Sequence, residues 1–142
     1  MRILSVDFGD ARTGLAVCDP AELLASPAGV IHERHIERAL EKAASAAKES
    51  GAQKIVVGLP LNMNGSEGPR AELCRDFAGR LAALSGIETV LWDERRTTVT
   101  AASYLNDTDT RGKKRKAVID EVAAVVILES YLAWRRNHPD EP

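Results

Sequence analysis

Three acidic residues, far apart in the chain, stand where a shared metal site would need them. Asp7 ends the apolar run Ile3-Leu4-Ser5-Val6 and is followed by Phe8-Gly9. Glu94 follows Thr89-Val90-Leu91-Trp92-Asp93, and Asp120 lies in the first turn of the apolar segment Val118-Ile119-Asp120-Glu121-Val122-Ala123-Ala124. Two strand ends and one helix start can converge in a folded domain although they are remote in sequence. Convergent carboxylates repel one another, so such a cluster needs a cation, and hard oxygen ligands select Mg²⁺ or Mn²⁺. The chemistry this serves most naturally is metal-assisted phosphodiester hydrolysis. That reaction requires no side-chain nucleophile, and the chain offers no Cys–His or Ser–His arrangement.

Each acid also has a plainer explanation. Asp7 fits a turn after a strand, and Glu94 fits a solvated partner for Arg95 or Arg96. Asp120 fits a helix N-terminus, where an acid contributes ~0.3–1 kcal/mol, although Glu121 serves that role equally well. Asp10 and Asp19 suit turns. Asp93 falls on the opposite side of its strand from Glu94 and is the weaker alternative ligand. His32, His35 and His138 lack metal-ligand spacing. Cys18 and Cys74 have neither metal nor disulfide-framework spacing and sit in apolar surroundings, so both read as small core residues.

Substrate contacts are expected near those acids. Arg111-Gly112-Lys113-Lys114-Arg115-Lys116 carries five basic residues in six positions and leads into the segment holding Asp120. Such a run is usually a solvated face, but a cationic arm beside a metal site can hold a phosphate backbone. Lys113, Lys114, Arg115 and Lys116 are therefore candidate substrate-binding residues, with Lys116 the nearest to the scissile phosphate. Asn62 and Ser66 join them, on a loop that follows Gly58 and should rim the same end of the sheet. Their side chains or backbone N–H groups could reach phosphate oxygens; an ordinary structural turn is the equal alternative.

The elements that must position these residues follow from periodicity. Residues 2–7 and 14–19 read as strands joined tightly enough for an antiparallel hairpin, and a short third strand covers Ala28–Ile31, after Pro27. Ile36, Ala39, Leu40, Ala43, Ala44 and Ala47 then mark one face of an amphipathic helix closed by Gly51. Lys54–Gly58 is a buried-type strand reached through that helix, hence parallel to an earlier one. A second helix begins near Pro69, has Cys74, Phe77, Ala78, Leu81 and Leu84 on its inner face, and ends at Gly86. Strand 88–92 follows, then a short helix over 97–105, an exposed loop over 106–116, and a final helix of about 117–134. This order predicts an α/β mixed sheet of five strands with helices on both faces, as one domain over 1–136 with a frayed tail at 137–142. Ligands in such sheets bind at the carboxyl ends of strands, where Asp7 and Glu94 fall.

The chain of 142 residues holds one domain with a real core. Its net charge of −2 argues against indiscriminate coating of nucleic acid, while leaving room for a local basic patch. Aromatic residues make up only 4%, which does not support a base-stacking platform. No apolar stretch has the length of a signal or membrane segment, so a cytoplasmic protein without membrane attachment is expected.

Four stretches, in order, resemble the YqgF family of pre-16S rRNA nucleases, also described as Holliday junction resolvases. They are Ser5-Val6-Asp7-Phe8-Gly9-Asp10-Ala11-Arg12-Thr13-Gly14 through Pro20, Val57-Gly58-Leu59-Pro60-Leu61-Asn62-Met63-Asn64-Gly65-Ser66 through Gly68, Trp92-Asp93-Glu94-Arg95-Arg96-Thr97-Thr98, and Val118-Ile119-Asp120-Glu121-Val122-Ala123-Ala124 through Leu128. Singly each is weak; the ordered set is specific and spans nearly the whole chain. The resemblance implies a ribonuclease H-like fold and an acidic catalytic and metal-binding site at Asp7, Glu94 and Asp120. Arg96 departs from the family, where Leu is typical, and adds a basic group beside Glu94; Cys18 stands where Ser is common.

These readings together predict a hydrolase of ester bonds: a metal-dependent endonuclease using two Mg²⁺ or Mn²⁺ ions ideally about 3.5–4 Å apart. Asp7 would bridge them, with Glu94 and Asp120 in outer positions and a 5′ phosphate on the product. The expected substrate is the 5′ end of a 16S rRNA precursor, in ribosome biogenesis. A Holliday junction resolvase in recombination and repair is the second reading, and an idle nucleic-acid-binding module the third. A sugar-kinase-like or actin-like ATPase shares the Asp7-Phe8-Gly9 hairpin but needs two lobes, and this chain supplies one. Junction cleavage needs two symmetric sites; no dimer face stands out, so a monomer or weak homodimer is expected.

Overall fold

The computed structural model describes residues 1–96 and 112–139, with 112–120 described as helical backbone alone. The chain opens with β1 (Ile3–Asp7), β2 (Arg12–Cys18) and β3 (Ala25–His32), and continues through α1 (Ile36–Glu49), β4 (Lys54–Leu59), α2 (Pro69–Ser85) and β5 (Glu88–Asp93). A 3-10 turn, Glu94–Arg96, leaves β5, and the long helix α3 (Gly112–Asn137) ends the order. The five strands lie in the order β3-β2-β1-β4-β5. β1 pairs antiparallel with β2 and parallel with β4, and β5 pairs parallel with β4. This is the mixed five-stranded sheet expected, with the parallel strands reached through helical crossovers.

Alternation along the strands builds two cores. Leu4, Val6, Ile55 and Val57 face α1 and α2, where they pack with Leu40, Ala43, Phe77 and Leu81. Ile3, Val56 and Trp92 face the other way and are covered by Ala124, Ile127, Leu128 and Tyr131 of α3. Burial on both faces explains why β1 and β4 read as continuous apolar runs. The turn between β1 and β2 depends on Gly9, because a Cβ there would stand 2.1 Å from the carbonyl oxygen of Arg12.

Several expectations shift. β3 runs from Ala25 through Pro27, longer than predicted; as an edge strand it tolerates a residue without an N–H. Its pairing steps from Leu15–Gly29 to Ala16–Pro27 at a bulge, with Gly29 at φ +108°. On α2 the buried face includes Ala71, Cys74, Phe77, Ala78, Leu81 and Ser85, whereas Leu84 is exposed. The i+4 step from Leu81 continues that face better than i+3 at this point. The largest correction concerns the basic run. Residues 112–116 form the first turns of α3 rather than a loop, because Lys and Arg are good helix formers. Their lack of apolar period marks a polar stretch of helix. The predicted helix at 97–105 and the loop residues 106–111 lie outside the described residues. Among the described residues no helix is long and apolar enough to cross a membrane.

Candidate active site

Asp7 is the last residue of β1, and Glu94 the first after β5. β1, β4 and β5 run parallel, so both acids emerge at the same edge, with β4 between them. Two strand spacings, about 9–10 Å, therefore separate their backbones. The gap is bridged because β4 presents Gly58 there. A Cβ on Gly58 would lie 2.8 Å from Glu94 Oε1, 3.0 Å from Glu94 Cδ and 2.7 Å from Ile127 Cδ1. The Glu94 side chain thus lies across the bare backbone of Gly58, and its carboxyl shares a hydrogen bond with that of Asp7.

Burial raises the pKa of Glu94; the hydrogen bond with Asp7 and the charge of Arg70 oppose that shift, while Asp93 adds to it. Arg70, in the first turn of α2, is not among the predicted site residues. Its guanidinium donates to Asp10 Oδ1 at 2.6 Å and to the Phe8 carbonyl, and lies 5.1 Å over the Phe8 ring. Phe8 in turn stacks on Phe77 at 4.2 Å. The cation is thus fastened beside the acids, and only a packed fold could show it. Cys74, one turn further along α2, has its thiol pushed up to about 11, chiefly by burial. Both cysteines are free and buried, as small core residues should be.

The decoy acids have separate partners. Asp93 is bound by Arg95, at 2.6 Å to Nη2, and its pKa is lowered by that bond. Asp19 accepts the N–H groups of Ala21, Leu23 and Leu24. Asn62 and Ser66 are brought together, but with each other: Asn62 Nδ2 donates to Ser66 Oγ at 3.0 Å, and Ser66 Oγ donates to Asn64 Oδ1 at 2.6 Å. Gly65, at φ +86°, completes this self-bonded loop.

Asp120 belongs to α3, whose placement follows from two contacts. Lys54 Nζ donates to the Tyr131 hydroxyl at 3.3 Å, and Ser5 Oγ donates to the Ala124 carbonyl at 2.6 Å. Lys54 pairs in register with Ile3, so α3 runs antiparallel to β1. From Ser5 to Asp7 the strand advances about 6.6 Å; from Ala124 back to residue 120 the helix advances about 6 Å. The backbone of Asp120 is therefore level with Asp7. Its side chain, and those of Lys113, Lys114, Arg115 and Lys116, lie outside the described residues. Among the described residues no third His, Cys, Asp or Glu joins Asp7 and Glu94 in a metal-holding group.

The aromatic scarcity of the sequence concealed a cluster. Trp92 packs against Tyr131 at 5.4 Å and Trp134 at 5.9 Å, and Arg96 lies 4.8 Å over the Trp92 ring. A low count did not prevent the few aromatics from meeting where β5 crosses α3.

A family profile described as RuvX, Holliday junction resolvase, matches residues 1–134. A protein of Symbiobacterium thermophilum named "Putative pre-16S rRNA nuclease" is 43% identical over 141 residues, covering 99% of this chain and 98% of that one. One of Pelotomaculum thermopropionicum with the same name is 45% identical over 133 residues, covering 93% and 86%. Among solved structures, Thermus thermophilus RuvC is similar with a TM-score of 0.60 at 12% identity, covering 94% of this chain and 96% of that one. The fowlpox virus Holliday junction resolvase gives 0.56 at 13% identity, covering 94% and 99%. These two support the ribonuclease H-like fold.

Proposed function

Because the chain belongs to the RuvX family, we propose that it is a nuclease that hydrolyses phosphodiester bonds at the Asp7–Glu94 pair, with Asp120 as the third acid. The observation that carries this reading is the contact between the two carboxyls across Gly58. A fold gains nothing in stability from pressing two acids together at a strand edge. The pair makes sense as a ligand set, and its hard oxygen donors fit Mg²⁺ or Mn²⁺. A bound divalent ion would supply an activated water and stabilise charge on the departing oxygen. Asp7, fixed by the end of β1, and Glu94, fixed by the turn after β5, would hold and orient it. Arg70 balances the excess negative charge from the α2 side without leaving its own bonds to Asp10 and Phe8.

The substrate proposed is a 16S rRNA precursor cleaved near its 5′ end, as the names of the relatives suggest. The basic turns at the start of α3 would contact its backbone. The family description favours a four-way DNA junction as the second substrate. Cleavage assays with RNA duplex, single-stranded RNA and four-way junction, with and without Mg²⁺, decide between them. Wild-type protein should cut the RNA only with the metal present, and Asp7→Asn protein should not cut. Metal-dependent cutting by clean Asp7→Asn protein would remove Asp7 from the site.

A further inference from the structure

We propose that Arg96, laid over the Trp92 indole, forms with Trp134 a subsite that takes one unpaired nucleobase of the substrate strand. The inference rests on the nuclease reading and names a contact beside the acids. A groove of about 320 Å³ opens along β5, lined by Val90, Trp92, Asp93, Arg96, Tyr131 and Trp134. Asp93 in its wall is followed directly in the chain by Glu94.

The two arginines of the connecting turn differ in use. Arg95 is bound to Asp93 through several hydrogen bonds. Arg96 is exposed and, among the described residues, forms no ion pair within 4 Å; it lies 4.8 Å over the Trp92 ring, and its charge also acts on Asp93 in the groove wall. Trp92 and Tyr131 are buried and serve the core, and Trp92 also donates its N–H to Ser130 Oγ at 3.1 Å. Arg96 has no such core role. A planar cation 4.8 Å over an indole, in the lining of an aromatic groove, can offer a stacking face and a positive charge together. An unpaired base on a phosphate chain matches both, whereas an apolar partner would meet the charge unfavourably.

The chain contains two tryptophans, Trp92 and Trp134, and both line this groove, so intrinsic fluorescence reads it directly. The test titrates the full chain, in EDTA, with a single-stranded RNA pentamer, its DNA counterpart and an abasic pentamer of equal charge. Base-bearing strands should quench the fluorescence and the abasic strand should not; the RNA and DNA arms tell which strand is preferred. Arg96→Ala should weaken base-dependent binding about tenfold. Arg96→Lys should fail to restore it, since an ammonium has no planar face. Unchanged thermal unfolding of both variants shows that the fold is intact. Equal quenching by the abasic strand, wild-type binding by Arg96→Ala, or full rescue by Arg96→Lys overturns the subsite. Cleavage in Mg²⁺ is measured in parallel: cutting without base-dependent quenching sinks the subsite alone. Base-dependent quenching in a protein that cuts no nucleic acid upholds the subsite and sinks the nuclease reading.

Discussion

Substituting Gly58 by Ala tests whether the bare backbone of β4 is what lets Glu94 reach Asp7. The new methyl carbon would sit 2.8 Å from Glu94 Oε1, against an ordinary contact of 3.4 Å or more, so the carboxylate must retreat by about 0.6 Å. A displacement of about 1 Å at a catalytic group costs roughly 10²-fold in rate, so a loss on the order of tenfold or more is expected. The same methyl lies 2.7 Å from Ile127 Cδ1, inside the α3 core. Overpacking of that kind costs about 1–3 kcal/mol, or a Tm lower by roughly 3–12 °C. The two effects separate in a double variant. Ile127→Val removes the Cδ1 atom at a cost of about 0.5–1.5 kcal/mol by itself, so adding it to Gly58→Ala should recover part of the fall in Tm. It leaves the clash with Glu94 in place, so cleavage should stay low. Cleavage rates on an RNA substrate and melting curves for the four proteins complete the cycle. Wild-type cleavage by Gly58→Ala would refute the reasoning, as would rates that recover in step with Tm.

Further predictions address other parts of the molecule. Asp7→Asn should abolish detectable cleavage while raising the Tm of the metal-free protein, because it relieves the repulsion between two acids; calorimetry in EDTA checks the sign. Replacing Lys113, Lys114 and Arg115 with Ala should weaken substrate binding for every sequence and flatten its salt dependence by about one log–log unit for each phosphate no longer neutralised; an unchanged slope in filter binding would leave the run as a solvated face. Glu22 is held below the usual carboxylate range, first by its hydrogen bond from Arg135 at 2.6 Å. Its contribution is therefore present above the ordinary carboxylate pKa and disappears as pH falls through its folded value. Glu22→Gln should cost about 1–3 kcal/mol at pH 7 and little in acid, as denaturant melts across pH would reveal; a pH-independent cost would show that the charge plays no part.

The sequence made the sheet legible because β1 and β4 are apolar on both faces and α1 keeps its stripe of alanines. It located Asp7 and Glu94 at strand ends for the same reason. It did not reveal how they meet, because the meeting depends on what Gly58 lacks, and an absent side chain leaves no periodic trace. Arg70 is equally hidden: its link to Asp10 spans 60 positions and exists only after α2 packs on the sheet. The basic turns of α3 resemble a loop in sequence because a run of Lys and Arg carries no apolar period from which a helix could be read. Asn62 and Ser66 have the look of free polar groups until the loop's own hydrogen bonds are visible.

The long reach from Ser5 to Ala124, 119 positions apart, has a consequence for how the protein is made. Everything facing α1 and α2 can pack once β5 has been synthesised. Among the described residues, the opposite side of the sheet, with Ile3, Val56 and Trp92, is covered by α3, which follows β5 in the chain. A growing chain therefore passes through a stage in which half a core is finished and the other half is bare apolar surface. That stage is the one at which chaperones would bind and at which aggregation competes. The segment bearing Asp120 arrives with that cover, so burial of the second core and completion of the proposed acidic site are a single late event.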